Sequence, residues 1–248
     1  SSFYLRGGEY NIFIINEQYA DVPAQTGDTE QSPTPIISIE NLDNYIHDNK
    51  VSVKDLYLQI SSMGNEKPDI VEGNELPDFN PDDEYLQEIK SPIFYAVQKN
   101  INIQTGQPTI LDFDMQRISQ RINIVFNIRT EGNIKREDLA APIIELSGAC
   151  GRFNIADACL DTTRLYRMAH QVQPDEFTQT GEGTYRCVVH FHTLGVIPSA
   201  AKGHLNGPGI LQVALQVSTP QLDSSGAPVV DEEGNPVKNS RYIYGAIN

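Results

Sequence analysis

The sequence predicts an all-β protein made of two tandem antiparallel β-sandwich domains. Apolar and polar residues alternate with period two through most of the chain, and the 3–4 spacing of amphipathic helices is almost absent. Strand patterns occur in both halves without long helices between them, which disfavours a parallel sheet. The 248 residues are 39% apolar, enough for one large or two ordinary cores. We place the junction near residues 112–116, which gives domains 1–114 and 115–248.

The N-terminal domain is predicted to contain four strands and one short helix. Residues 10–15 are apolar on both faces, which indicates an inner strand. Further strands are predicted within residues 51–60, 93–97 and 101–113. Residues 38–47 have the spacing of a short helix, with Ser38 as its N-cap.

An acidic segment interrupts this first half. Residues 66–90 contain nine acidic and two basic side chains, and three prolines in the segment break regular structure. We expect an exposed, hydrated loop here. A dedicated site for a cation or a partner is the alternative.

The C-terminal domain has the clearest alternation. Its predicted core rows are Ile122, Ile124, Phe126 and Ile128; Tyr185, Cys187, Val189 and Phe191; and Leu211, Val213, Leu215 and Val217. Polar residues such as Asn123 and Gln212 alternate with these rows, so each strand is expected to have one buried and one wet face. Residues 229–247 are predicted to form a terminal hairpin, with residues 231–236 as its turn. We expect the last strand, residues 241–247, to pair within its own chain, because a free apolar strand promotes uncontrolled pairing.

The charge of the chain excludes several classes of partner. Its 18 basic and 33 acidic residues give a net charge of −15. A field of this sign repels phosphate, so we expect neither nucleic acid nor anionic lipid headgroups as partners. No stretch is apolar for long enough to span a bilayer, and the first residues lack the features of a signal peptide. The chain is expected to be soluble, with any export signal or lipid anchor lying upstream of it.

The sequence offers no recognisable catalytic set. The motifs GxSxG, HExxH, GxxxxGK[ST] and GxGxxG are all absent. We therefore assign no catalytic, cofactor-binding or metal-ligating residues, and we expect no enzyme activity. His190 and His192 share one strand face, with His204 in the following loop, and we interpret the strand pair as solvent-facing rather than as a metal site. Residues 231–234 are interpreted as a turn rather than a calcium loop.

The three cysteines leave the redox compartment open. Cys150 and Cys159 lie nine residues apart across a predicted turn, so they can pair across a hairpin or remain reduced. Cys187 is expected to be a small buried hydrophobic residue.

Several stretches of the chain together carry a family pattern. Residues 6–16 read RGGEYNIFIIN, which fits a strand motif Pro/Arg-x-Gly-x-Tyr-x-apolar-x-apolar-x-Asn. Residues 94–96 (FYA) and 115–124 (MQRISQRINI) fit a crossing into a second domain, and residues 145–149 (ELSGA) fit a short strand end. Taken together, over residues 6 to 150, these stretches resemble the fimbrillin-like surface lipoproteins of the Bacteroidales, a family of type V pilus subunits and their anchor or accessory proteins.

The resemblance implies a fold, a location and a role. It implies transthyretin-like β-sandwich domains and export as a lipoprotein to the outer membrane and cell surface. It implies a structural, non-catalytic protein of the fimbria or pilus, acting in fimbrial assembly or cell adhesion, whose partners are other fimbrial subunits bound by β-strand addition. The lipidated cysteine of the family is absent from this chain, so membrane contact would require an anchor outside it. The domain at residues 1–114 is then also expected to lack its first strands.

Two other functions remain open at this stage. A surface glycan- or ligand-binding module is favoured by the long loops and the eleven tyrosines. A hydrolase is the other open function, since the fold alone brings a pair of catalytic carboxylates together and the sequence does not reveal their spacing. The sequence does not choose between stalk, tip and anchor subunits, and we expect the isolated protein to be a monomer.

Overall fold

A computed structural model describes residues 4–16, 35–47, 51–64, 84–132, 134–197 and 209–247. This part of the chain is predominantly β, which confirms the predicted class. The strands are β1 (Gly8–Ile15), β2 (Ile37–Glu40), β3 (Tyr57–Ile60), β4 (Glu84–Tyr85), β5 (Phe94–Ile103), β6 (Gln116–Arg117), β7 (Gln120–Arg129), β8 (Ile143–Cys150), β9 (Arg152–Asn154), β10 (Cys159–Leu160), β11 (Leu165–Gln171), β12 (Phe177–Gly181), β13 (Thr184–Thr193), β14 (Gly195–Val196), β15 (Leu211–Pro220) and β16 (Lys238–Ile247). Helix α1 spans Leu42–His47, and 3₁₀ turns cover Val53–Asp55, Arg136–Asp138 and Pro174–Glu176.

The described strands form four sheets. The first has the order β1-β5-β6, and the second has the order β10-β9-β3-β2. The third has six strands, in the order β16-β15-β8-β11-β4 with β14 beside β8, and the fourth has the order β12-β13-β7. Neighbouring strands are antiparallel except β4 and β11, which are parallel.

Three of these sheets contain strands from both predicted domains, and in the first sheet β5 pairs with β6. In the second sheet β9 lies against β3, with Phe153 opposite Leu58. In the third sheet β4 pairs with β11, and Tyr85 lies opposite Arg167. Buried apolar residues of both halves also belong to one cluster. The boundary near residues 112–116 thus separates segments whose strands pair with each other, and the transthyretin-like two-domain arrangement stays a prediction.

In the second sheet, Arg152 of β9 contacts residues from both halves of the chain. Its guanidinium makes ion pairs with Glu40 of β2 and with Asp161. The same group lies 4.2 Å from the ring centre of Tyr57 on β3. A planar guanidinium can satisfy two carboxylates and an aromatic face at once, so one side chain links three segments of the sheet.

The predicted core rows of the second half are confirmed. Tyr185, Cys187, Val189 and Phe191 are all buried. Ile124, Leu215 and Val217 are buried too, and the remaining members of the rows pack partly buried against the same cluster. The prediction of a wet face was wrong for β15, where Gln212 is only 3% exposed. Gln212 lies opposite the buried Glu145 of β8, in a polar layer that a binary pattern does not reveal.

The first half departs from its predicted elements at several points. Phe94–Ile103 is one continuous strand, and residues 104–113 contain no strand. Residues 37–40 form β2, and Asn41 with a φ of 65° ends this strand, so α1 begins only at Leu42. The strand predicted from residue 51 begins at Tyr57, because Ser52 caps a 3₁₀ turn instead. β1, expected as an inner strand, has a single neighbouring strand among the described residues.

The acidic segment is only partly described. Residues 65–83 lie outside the described residues. In residues 84–90 the prediction of an exposed loop was wrong, since Tyr85, Leu86 and Ile89 are each no more than 2% exposed. These three apolar side chains are buried, and this anchors the end of the acidic segment to the body of the protein.

The C-terminal strand pairs within its own chain, as predicted. β16 begins at Lys238 and pairs with β15 along ten residues, with Leu211 opposite Ile247 at one end. The turn at residues 231–236 closes a smaller hairpin, in which Val230 and Pro236 form an isolated antiparallel bridge next to the turn. Asp231 Oδ1 accepts hydrogen bonds from the backbone N–H groups of Glu233 and Asn235, which accounts for the turn without an ion.

A charged cluster lies buried in the six-stranded sheet. Arg167 of β11 and Glu145 of β8 are 1% and 4% exposed and form an ion pair of 3.8 Å. The hydroxyl of Tyr85 donates a hydrogen bond of 3.0 Å to Glu145 Oε2, and the guanidinium of Arg167 lies 4.3 Å from the Tyr85 ring centre. The cluster therefore ties β4, β8 and β11 together.

We expect Ile124→Asp to lower the free energy of unfolding by about 3–5 kcal/mol, because an unpaired carboxylate would replace a buried side chain. Val125→Asp is the matched control, since Val125 is adjacent in β7 but 50% exposed on the opposite face. Its expected loss is below about 1 kcal/mol. Urea unfolding measures both values, and equal losses would contradict the assignment of the two faces.

We expect Glu145→Ala to cost about 3–5 kcal/mol, because it removes the carboxylate that is paired with the buried guanidinium of Arg167. Glu137→Ala provides the comparison, since Glu137 pairs with Lys135 at the surface and both side chains are 72% exposed. An exposed pair contributes at most about 1 kcal/mol. Thermal and urea unfolding compare the two variants, and a loss at Glu145 as small as that at Glu137 would show that the buried charge is already compensated elsewhere.

Candidate functional site

The first candidate site is an apolar groove on the outer face of the first sheet. Phe13 and Ile15 of β1 pack against the core, so Ile14 between them faces outwards and lines the groove. The groove has a volume of about 840 Å³. The apolar side chains that line it are Tyr4, Leu5, Ile14, Ile103, Ile110, Leu111 and Phe113. Ile110 is 95% exposed, so this surface leaves large apolar side chains in water.

The backbone beside this groove has an open edge. β1 pairs with β5 on one side, from Gly8 opposite Ile103 to Ile15 opposite Tyr95. Among the described strands, none pairs with the other side of β1. An eight-residue strand with a free edge presents N–H and C=O groups that an added strand can pair with.

The second candidate site is a polar cavity of about 660 Å³ between β7, β11 and β13. Its lining includes residues 88–90, Arg121 of β7, His170 and Gln171 of β11, and His190 and His192 of β13. His192 lies directly opposite Arg121 in the strand pair, and His190 lies opposite Asn123. Period-two alternation thus places these four residues on one face of the fourth sheet.

The hydrogen bonds of two of these histidines are well defined. His190 Nδ1 lies 2.8 Å from Asn123 Oδ1, and His192 Nδ1 lies 3.1 Å from the carbonyl oxygen of Ile89. A carbonyl only accepts, so the Nδ1 of His192 carries a proton and donates it. In the neutral ring this leaves the Nε2 of His192 as an acceptor. The expectation that both histidines simply face solvent is therefore incomplete, since each has a protein partner.

His170 is the most perturbed titratable group of the cavity. Its Nε2 lies 2.7 Å from Glu176 Oε2, and its Nδ1 lies 3.7 Å from Glu88 Oε1. Interaction with Glu88 first, and then with Glu176, raises the pKa of His170 to about 9, against the lowering effect of burial. The imidazole is therefore charged at neutral pH. It joins β11 to the segment after β4 and to the turn before β12.

Sequence reasoning found His190 and His192 but missed His170. His170 occurs in a strand without any motif, and its carboxylate partners come from two other segments of the chain. His204 lies outside the described residues. Within the described ranges, no group of three or more His, Cys, Asp or Glu side chains has an arrangement that could hold a metal ion.

The cysteines do not form a disulfide. Cys150, Cys159 and Cys187 are all free, with Cys150 and Cys187 buried and Cys159 exposed. Cys150 belongs to β8 and pairs with Leu165 and Gly195, whereas Cys159 pairs with Asn154, so the two residues belong to different sheets. Burial raises the pKa of Cys187 to about 11 and also raises that of Cys150. Both buried thiols therefore stay protonated at neutral pH.

The described helix α1 has six residues, and no helix in the described ranges is long and apolar enough to cross a membrane.

Neither the known protein families nor the curated proteins contain a match to this sequence. Among solved structures, the chain is similar to a "putative adhesin" from Bacteroides ovatus, with 9% sequence identity and a TM-score of 0.40. The similarity covers 96% of this chain and 66% of that one.

We expect the charged His170 to make stability fall at alkaline pH. The pKa of about 9 in the folded state lies above the usual histidine pKa of about 6.5. A raised pKa contributes stability that is fully present below about pH 6.5 and is lost as the pH rises through about 9, here up to about 3 kcal/mol. His170→Gln keeps hydrogen-bonding capacity but does not titrate, so its unfolding free energy should fall less between pH 6 and pH 10. Urea unfolding of the wild type and the variant across this pH range measures the effect. An equal change in the free energy of unfolding of both proteins would contradict the prediction.

Proposed function

We propose that this chain is a structural, non-catalytic protein of the cell surface that acts in adhesion or in the assembly of fimbriae. In this proposal it is a fimbrial subunit or an anchor or accessory protein, and it assembles with other subunits by β-strand addition. The observation that carries the proposal is the edge of β1 with which no described strand pairs, beside an apolar groove. The resemblance of residues 6–16 to the fimbrillin-like strand motif falls on this same strand.

The occupant we propose is an extended segment of a neighbouring subunit with alternating apolar side chains. Its backbone would pair with the open edge of β1, and its apolar side chains would cover Ile14 and Ile110 in the groove. Main-chain pairing supplies affinity in this mode of recognition, and the pockets for alternate side chains supply specificity. Burial of exposed isoleucine surface would add roughly 25 cal/mol for each Å² removed from water.

The non-catalytic part of the proposal rests on the chemistry of the chain. The sequence lacks the motifs of nucleophile, phosphate and dinucleotide sites, and the buried thiols are held in the protonated, unreactive form. Assembly by strand addition needs no reactive group. Any lipid anchor and outer-membrane attachment belong to this proposal as well, together with a monomeric state before assembly.

We expect an eight-residue peptide with alternating apolar and polar residues to bind the full-length protein. A scrambled peptide of the same composition is the first control, because only the alternating sequence presents one apolar face in a strand. Ile110→Asp should weaken binding roughly tenfold or more, since a charge would then face the bound apolar side chains. Fluorescence polarisation of the labelled peptide measures the affinity.

Leu222→Asp is the matched variant for that experiment. Leu222 is 58% exposed and belongs to the short hairpin after β15, so it carries the same change outside the groove. It should bind the alternating peptide as the wild type does. Equal binding of the alternating and scrambled peptides, or equal loss in the two Asp variants, would rule out strand addition at this groove.

A ligand-binding module is the second candidate function. It is favoured by one observation, the polar cavity between β7, β11 and β13, whose volume of about 660 Å³ lies within the usual range of small-molecule sites.

A further inference from the structure

The polar cavity carries positive charge in a strongly acidic protein. The net charge of the chain is −15, yet Arg121 and Lys90 both line this cavity. The charges of Glu88 and Glu176 are directed at the charged His170, which lies between them. Glu176 has a second partner, because its Oε2 also accepts a hydrogen bond of 2.8 Å from the backbone N–H of Gln173. The acidic groups of the cavity are thus engaged by protein partners.

Arg121 is the available cation of the cavity. It is exposed on β7, and its side chain makes no ion pair or hydrogen bond with the described part of the chain, while its backbone pairs with His192 of β13. A guanidinium presents a planar pair of N–H donors that matches the two oxygens of a carboxylate. An Arg that lines a concave site without a partner is therefore suited to a ligand that carries a carboxylate.

The remaining polar atoms of the cavity suit hydroxyl groups. His192 directs Nδ1 to the carbonyl of Ile89, which leaves its Nε2 to accept a hydrogen bond. Gln173 donates from Nε2 to the carbonyl of Gln171, which leaves its Oε1 as an acceptor. Hydroxyl groups both donate and accept, so a ligand rich in hydroxyls can satisfy both atoms. An inorganic anion would leave these acceptors unused, and it would fill only a small part of the cavity.

From these contacts we infer that the cavity between β7, β11 and β13 binds a carboxylated sugar. The carboxylate pairs with Arg121, and sugar hydroxyls donate to His192 Nε2 and Gln173 Oε1. This inference names the ligand class of the second candidate function and rests on that function. It is independent of strand addition at the groove of β1.

The test uses the full-length protein with glucuronic acid as the probe. Isothermal titration at pH 7.5 should show binding of glucuronic acid and at least about tenfold weaker binding of glucose, which has the hydroxyls without the carboxylate. Acetate, which has the carboxylate without the hydroxyls, should also bind at least about tenfold more weakly. The imidazole proton signals of His192 should shift on addition of glucuronic acid in an NMR titration.

Two arginine variants separate a specific contact from general attraction. Arg121→Gln should weaken the binding of glucuronic acid about tenfold or more, because a charge-assisted pair is lost. Arg129→Gln removes the same charge from the same face of the same strand, outside the cavity, and should change affinity less than about twofold. Both positions are exposed, so both variants should fold.

Three results would overturn the inference. Glucuronic acid binding no better than glucose would remove the role of the carboxylate, and equal binding of acetate would mean an anion site without sugar specificity. Equal loss in the two arginine variants would mean non-specific attraction. Ile110→Asp should leave glucuronic acid binding unchanged while it weakens peptide binding, so failure of this site is distinguishable from failure of the assembly proposal.

Discussion

The organisation of the six-stranded sheet depends on the buried ion pair of Arg167 and Glu145. Two charges at 1% and 4% exposure are tolerated only when they compensate each other and receive further polar contacts. Those contacts come from different strands, including the Tyr85 hydroxyl from β4. The pair therefore restricts which strands can lie together, since an alternative pairing would leave a charge without its partner. The short, parallel β4 is held in the sheet by this polar cluster as well as by its two paired residues.

The parts of the fold that depend on local sequence patterns could be predicted, and the parts that depend on contacts distant in the chain could not. The row from Tyr185 to Phe191 was predictable because period-two alternation reports directly on which side chains are buried. The burial of Gln212 was not predictable, because it depends on the polar layer formed with Glu145 of another strand. In the same way, the sequence of residues 152–154 gives no sign that this strand pairs with β3, since strand partners are chosen by contacts distant in the chain.

The candidate sites were predictable to a smaller extent. The i, i+2 spacing of His190 and His192 correctly placed both rings on one face of a strand. The cavity also needs Arg121 from the neighbouring strand and His170 from another sheet, and no local pattern links these positions. The groove beside β1 depends on residues 104–113, for which the alternation predicted a strand. Gly106 and Pro108 were the available signals against it.

The exchange of strands between the two halves has a consequence for how the chain folds. β3 acquires its neighbour β9 only after nearly a hundred residues have followed it, and β4 acquires β11 after about eighty. Such pairings give a high contact order, and the entropy of closing each long loop must be overcome before any contact is gained. Folding is therefore expected to be slow. During synthesis, the N-terminal half would emerge with the edge of β3 unpaired, and it would depend on chaperones until β9 is made.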